Sequence, residues 1–570
     1  MVRIALVSTI ILTLAACNQQ EPAKPAPAVT ESTPVVDYKP EPVQPTPEGR
    51  FSAAINAEDF AARLKKLSSD EFEGRKPGTI GERMTTAYIK DQFERIGLKP
   101  GIDGSWFQTV PMMQTEMLDP GSVKVDVKGS TSSVSFGIGS DMVVGTLNGS
   151  TEVNLENSDI VFAGYGVSTP EWNDYADINV KGKTVIVLVN DPGWGNQDPD
   201  LFKGPTLTYY GRWTYKYEEA ARQGAAALFI VHETAGAGYP WAVVENGWTG
   251  TQLSLPASED PAPRLETAGW FSEEAATRLF AAAGADFAAL KKSADLRGFK
   301  PVSLDARLSV KFQNKIDVTS SENVIGYLPG SERPDEAIVY TAHWDHLGRD
   351  ESLSGDQIYN GAIDNATGVA AIMEIAEAFA QQQPPPQRSV YFAAVTLEES
   401  GLLGAQYLVA HSPVAHEKIA ANINIDAMHI EGPSRNIMAF GLGQSELDDY
   451  ISEAAAAQGR VVTGDEEPEK GFFFRSDHVN YARAGVPALY IRDGLDLVDG
   501  GEAAGRAASS DYTTNRYHKP ADNYDPNWDF RGVISNLEAL YAVGRKLADE
   551  TTYPKWKPGA DFSRPEKSAD

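Results

Sequence analysis

The chain has one cysteine, Cys17, in 570 residues. Disulfide frameworks, cysteine-zinc sites and a catalytic thiol in the folded part are therefore excluded. Basic residues are the second shortage: Lys and Arg number 50 against 79 Asp and Glu, a formal charge of −29. A general binder of phosphate backbones needs a basic footprint, so nucleic acid is not an expected partner. An acidic chain accommodates cations, and any metal must be held by His, Asp and Glu. Familiar catalytic signatures are missing as well. No His-Glu-x-x-His is present, since His232-Glu233 is followed by Gly236 and His416-Glu417 by Ala420. Neither a Gly-x-Ser-x-Gly elbow nor a complete Gly-x-x-x-x-Gly-Lys-Ser/Thr loop occurs. Beyond the N-terminus no apolar run reaches the ~18 residues of a membrane helix.

Residues 1–17 read MVRIALVSTIILTLAAC. Arg3 precedes an apolar stretch too short to span a bilayer as a mature helix, which is the pattern of an export signal. Its end, Leu14-Ala15-Ala16-Cys17, resembles the lipobox of bacterial lipoproteins, which implies a cut after residue 16 and a lipid on Cys17. The expected location is the bacterial cell envelope, anchored through Cys17, with Asn18 favouring an outer membrane. Residues 18–50 hold eight prolines and few large apolar side chains. Such a segment cannot bury enough surface to fold and reads as an extended tether.

Helical periodicity starts near Phe51, and residues 83–96 form a helix stopped by Gly97. Residues 106–127 read as strands. From about 135 to 300 the composition turns to glycine and aromatics, with strands at 159–162, 184–189 and 226–231. This stretch has no dense cluster of His and acids and is read as an inserted domain. Beyond about 316 apolar strands at 338–341, 390–396, 423–425 and 488–491 alternate with helices such as 368–380. That alternation predicts an α/β fold with a mixed, largely parallel twisted sheet and helices on both faces. The expected organisation is a signal at 1–16, Cys17 and linker to 50, a discontinuous main domain at 51–134 and 301–570, and an insert at 135–300.

In open α/β sheets ligands bind beyond the carboxyl ends of the strands. Here the strands run into His343-Trp344-Asp345, Glu398-Glu399 and Asp426. Asp364 lies in the turn-rich loop that opens the helix at 368, and His518 follows Tyr517 in a polar loop. Singly each has a bland reading, as a surface turn, a solvated helix face or a helix cap. Together they place five potential ligands on one rim, with acids that would repel unless cations lay between them. Two divalent ions carry four positive charges. Three carboxylates and one hydroxide balance them.

These segments, together with Asp364-Asn365-Ala366-Thr367-Gly368, Ser476-Asp477-His478 and Glu73-Gly74-Arg75-Lys76-Pro77-Gly78, resemble the co-catalytic dizinc aminopeptidase family, metallopeptidase family 28, which also contains glutamate carboxypeptidase. The insert, with Phe162-Ala163-Gly164-Tyr165-Gly166, resembles a protease-associated domain. The resemblance implies a zinc exopeptidase acting on peptides. His343 and Asp426 would hold one Zn²⁺, Glu399 and His518 the other, and Asp364 would bridge them; Mn²⁺ or Co²⁺ are conceivable substitutes. Asp345 would orient His343, Glu398 would be the general base, and Tyr517 would serve an oxyanion. Arg475, Asp477 and His478 are expected at the substrate. His346 is read as structural.

Three alternatives share the fold: a glutaminyl-cyclase-like acyltransferase, a carboxypeptidase and a non-catalytic receptor. The full ligand set and Glu398 argue against the first and third. Against the second, Arg475, Arg492 and Lys519 stand apart in sequence while acids predominate near the ligands, which suits a free α-ammonium group.

Overall fold

A computed structural model describes residues 46–47, 51–260 and 262–565. Residues 1–45, with Cys17, the expected signal and most of the proline-rich tether, lie outside the described residues.

Two sheets organise the chain. The first has a parallel centre: Arg388–Val395, Arg333–His343, Ile419–Asn424 and Ala488–Asp493 lie side by side in that order. Asn436–Phe440 continues it antiparallel on one flank. Phe107–Met117 and the C-terminal half of Val302–Leu328 close the other, again antiparallel. These central strands are buried on both faces, so they read as apolar runs rather than alternations. Val390, Phe392 and Ala394 face a core shared with helices Ala57–Leu67, Ile80–Ile96, Thr367–Gln381 and Arg531–Asp549. Ala393 and Val395 face the opposite side, against helix Leu403–Ala410. The mixed α/β sheet covered on both faces is thus as expected.

The connections explain where a site belongs. After Arg333–His343 the chain returns on one flank as Arg388–Val395, then crosses to the other as Ile419–Asn424. Such a reversal opens a crevice at the carboxyl ends of the central strands.

The second sheet gathers Ser133–Gly137, Lys124–Gly129, the N-terminal half of Val302–Leu328, Glu152–Phe162, Thr184–Leu188, Ala227–His232, Thr267–Ser272 and Met142–Gly145. It has its own core on both faces, with Ile186 and Leu188 on one and Val185 and Val187 on the other. Its limits differ from the expected 135–300. Lys124–Gly129 already belongs to it, and so does the 27-residue strand Val302–Leu328 up to Gln313. Its N-terminal half alternates, burying Leu304, Ala306, Leu308, Val310 and Phe312. It then passes into the first sheet without a turn. Past the crossing the alternation ends, with residues 317–320 exposed and 323–326 buried on both faces.

Candidate functional site

The strand ends deliver the chemistry. His343 is the last residue of Arg333–His343 and pairs in register with Val395. Glu398 and Glu399 follow the strand that ends at Val395, and Asp426 follows the one that ends at Asn424. Asp364 sits in the loop before helix Thr367–Gln381, and His518 comes from the loop after Tyr512–Arg516.

These side chains converge on two points. His343 Nε2 lies 3.3 Å from Asp364 Oδ1 and 3.3 Å from Asp426 Oδ1. His518 Nε2 lies 3.3 Å from Asp364 Oδ2 and 3.0 Å from Glu399 Oε2. Donors held tetrahedrally by bonds of about 2.0–2.1 Å sit roughly 3.3–3.4 Å apart, so the four imidazole–carboxylate separations in these two triplets come close to those of a zinc-type donor set. Each Asp364 oxygen serves a different triplet. Glu398 Oε2 stands further off, 3.9 Å from His343 Nε2. It is further from His343 than the other two carboxylates, though within 4.8 Å of both His343 and Asp426.

The electrostatics agree with cation-binding chemistry. Burial disfavours charge on Asp364, yet His343 and His518 hold its carboxyl well below the usual range. Against burial and the repulsion of Asp364, His518 and His346 draw Glu399 down to about 2. Burial would lower His518, but Glu399 and Asp364 lift it to about 11. Acids this crowded pull positive charge onto whatever lies among them. His343 is 1% exposed, and the other donors are buried or lie at the rim.

Supports beneath the donors fix their aim. Asn365 accepts the N–H of Gly368 at 2.8 Å and of Ala427 at 3.1 Å, and its amide donates to Ile425 O at 3.0 Å. This ties the Asp364 loop to the Asp426 loop. A Cβ at Gly368 would stand 2.4 Å from Asn365 Oδ1, so only glycine fits there. Ser476 donates to Asp426 Oδ2 at 2.6 Å, and Asn424 donates to Ser476 at 2.7 Å.

Of three further supports, the sequence reading gave no role to Arg75 and Asp522 and read His346 as structural. Arg75 is fully buried, and its guanidinium donates to the carbonyls of Leu67, Trp344, Asn360 and Gly361. It thereby joins the His343 and Asp364 loops. The neighbouring Gly74 has φ +65°, and a Cβ would stand 2.4 Å from Gly348 O. Asp522 accepts the N–H groups of Ile363 and Asp364, both at 3.1 Å. His346 Nδ1 lies 2.7 Å from Glu399 Oε1, the oxygen turned away from His518. That is a hydrogen bond which orients Glu399. In sequence, Asp522 reads as one more loop acid. The doublet of imidazoles in His343-Trp344-Asp345-His346 was the available signal for His346.

Asp345 divides its expected role. Its main-chain carbonyl, 3.1 Å away, is the nearest partner of His343 Nδ1, while its carboxylate is 3.8 Å from the same nitrogen. The carboxylate instead accepts the N–H of Glu398 at 3.1 Å. Tyr517 stacks on His518 with centroids 3.9 Å apart. Burial and the acids Asp364 and Glu399 push its phenol well above the ordinary value.

Two expectations for substrate contact need correction. Asp477 and His478 are both 0% exposed. His478 packs 4.9 Å from the rings of Phe473 and Tyr490, and burial lowers it to about 4, so it is neutral and sealed beneath the site. Arg475 and Arg492, apart in sequence, meet in space over the same Phe472 ring at 5.3 and 5.8 Å.

Residues 323–541, which span all five donors, match the family model described as Peptidase family M28. This part of the chain is similar to peptidase family M28. A probable zinc metalloprotease of Leptosphaeria maculans is 27% identical over 239 residues, 39% of this chain and 53% of that protein. Aminopeptidase NAALADL1 of Mus musculus is 27% identical over 137 residues, 23% of this chain and 17% of its own length. The chain spans about half the length of the first of these relatives. Among solved structures, an aminopeptidase from Aneurinibacillus sp. strain AM-1 aligns over 90% of this chain and 96% of its own, with 17% identity and a TM-score of 0.47. Within the matched segment lie Glu398, the Asn365 tie and the Asp345–Glu398 contact; Arg75 reaches it from outside.

Proposed function

We propose that the protein is a zinc-dependent aminopeptidase that removes N-terminal residues from peptides, with two zinc ions held by His343, Asp426, Asp364, Glu399 and His518. The observation that carries this reading is Asp364, whose two oxygens each lie 3.3 Å from the imidazole of a different triplet. Zinc bound there supplies a polarised carbonyl and a water of lowered pKa. The chain's own residues do the rest. Glu398, at the edge of the first triplet, takes the proton of the attacking water and passes it to the leaving amine. Burial raises Glu398, and the nearby acids Asp426 and Glu399 add to that, which suits a group that must hold the proton between the two transfers. His346 and Asp345 keep Glu399 and Glu398 in place. Tyr517 borders the centre where an oxyanion would form.

Lipidation of Cys17 belongs to the same proposal: the enzyme would work from the surface of an envelope membrane. A Cys17→Ser variant that stays in the membrane fraction would contradict that part alone.

The test of the activity is a panel of aminoacyl p-nitroanilides and free-amine dipeptides. Hydrolysis is expected with zinc, with loss on chelation, recovery on adding Zn²⁺ and no turnover of N-acetylated substrates. Cleavage of N-blocked peptides from the carboxyl end would overturn the aminopeptidase assignment.

A further inference from the structure

Ala227–His232 and Thr267–Ser272 are neighbouring strands of the second sheet, but the chain between them does not stay with that sheet. Gln252–Ser254 pairs antiparallel with Met113–Thr115 of the first sheet. The next residue, Leu255, is 1% exposed and packs with Val110, Met112, Leu397 and Leu403. Leu397 is the residue directly before Glu398, and Leu403 opens the helix that follows the Glu398 turn.

Leu397 depends on that packing. Its φ is +57°, a left-handed value that a bulky side chain keeps only where its surroundings dictate it. Past it the chain folds back at once. The N–H groups of Gly401 and Leu402 donate to Glu398 O at 2.9 and 3.0 Å, and that of Leu403 to Leu397 O at 3.1 Å. These bonds lie inside the turn and travel with it, so they fix its shape and not its place. Its place is set by what it touches in other elements. Asp345 accepts the Glu398 N–H on one side, and the fully buried Leu397 meets Leu255 on the other.

The arm that carries Leu255 is itself held. Arg264 donates to Leu255 O at 2.6 Å and pairs with Asp260 at 2.8 Å. Asp260 also accepts the amide of Gln406 at 3.3 Å, and Glu259 lies 3.3 Å from His411 Nε2. Residues 255–264 thus follow helix Leu403–Ala410 from its first residue to its C-cap. The partly exposed Glu259–His411 pair contributes little, so the anchoring falls on the apolar contact.

We propose that Leu255 is a positioning residue for the Glu398 turn: an arm of the second sheet packs it against Leu397 and so fixes where Glu398 stands. The proposal rests on the reading of Glu398 as general base. It gives the second sheet a part in turnover that needs no contact with substrate.

Hydrogen exchange over residues 397–404 of the zinc-loaded full chain, read by mass spectrometry beside kinetics on an aminoacyl p-nitroanilide, tests this. Leu255→Ala should lose protection in that segment. Its kcat should fall about tenfold to a hundredfold, with KM within about twofold and zinc content unchanged. Leu255→Met nearly conserves volume and should keep kcat within about threefold. Leu279→Ala makes the same truncation in the second sheet's own core, where Leu279 is fully buried. It should lower the unfolding temperature yet leave kcat and the protection of 397–404 as they were. Should Leu255→Ala not fold, Leu255→Val gives the same readouts at smaller amplitude. Unchanged protection or unchanged kcat in the folded Leu255 variant would overturn the proposal, and so would an equal loss of kcat in Leu279→Ala. If the unaltered protein hydrolyses no aminoacyl substrate, the peptidase reading falls, and the exchange comparison still decides whether the arm holds the turn.

Discussion

Asp345 Oδ1 accepts the main-chain N–H of Glu398 at 3.1 Å. This bond links the loop after one central strand to the loop after its neighbour, and it sets the start of the Glu398-Glu399 pair. One loop thus positions the proposed ligand His343 and the proposed base. Asp345→Ala removes the acceptor and leaves a buried N–H unpaired; Asp345→Asn keeps an acceptor oxygen. The alanine variant should lose about 10–100-fold in kcat/KM, and the asparagine variant less. Equal losses in the two would mean that the charge of Asp345, not its bond to Glu398, matters.

Glu398→Gln preserves shape and removes the proton acceptor. Turnover should fall by about 10²–10⁴. Zinc content should stay that of the unaltered protein, because Glu398 Oε2 lies 3.9 Å from His343 Nε2, beyond the spacing of the donors. Metal analysis alongside kcat checks both halves. Near-normal turnover would remove Glu398 from the mechanism.

Arg75 holds four buried carbonyls from three segments. Arg75→Met strands them, and Arg75→Lys cannot reproduce the planar fork. Both variants should unfold at lower temperature, the methionine by about 3 kcal/mol or more, and both should hold zinc more weakly. Unchanged thermal unfolding would show that solvent satisfies those carbonyls instead.

Much of this site was legible in the sequence because a parallel sheet puts its strand ends on one rim. Three apolar runs, each leading into His, Glu or Asp, were enough to gather His343, Glu399 and Asp426. Asp364 and His518 were read onto the same rim from their loops, and the resemblance then divided the five between two ions. The supports stayed hidden. Arg75 and Asp522 act across some 285 and 158 residues of chain, and nothing local distinguishes them from surface charges. Burial also reversed some readings. Asp477 and His478 sit beside a ligand loop in sequence but point beneath the site, so proximity in the chain misplaced them.

Metal stoichiometry tests the central claim most directly. The account predicts two zinc ions per chain in the unaltered protein, measured by elemental analysis after dialysis. His518→Ala should keep the ion held by His343 and Asp426, whereas Asp364→Ala, which withdraws an oxygen from both triplets, should lose both. A full complement of two ions in the Asp364→Ala variant, or one ion in an unaltered protein at full activity, would contradict it.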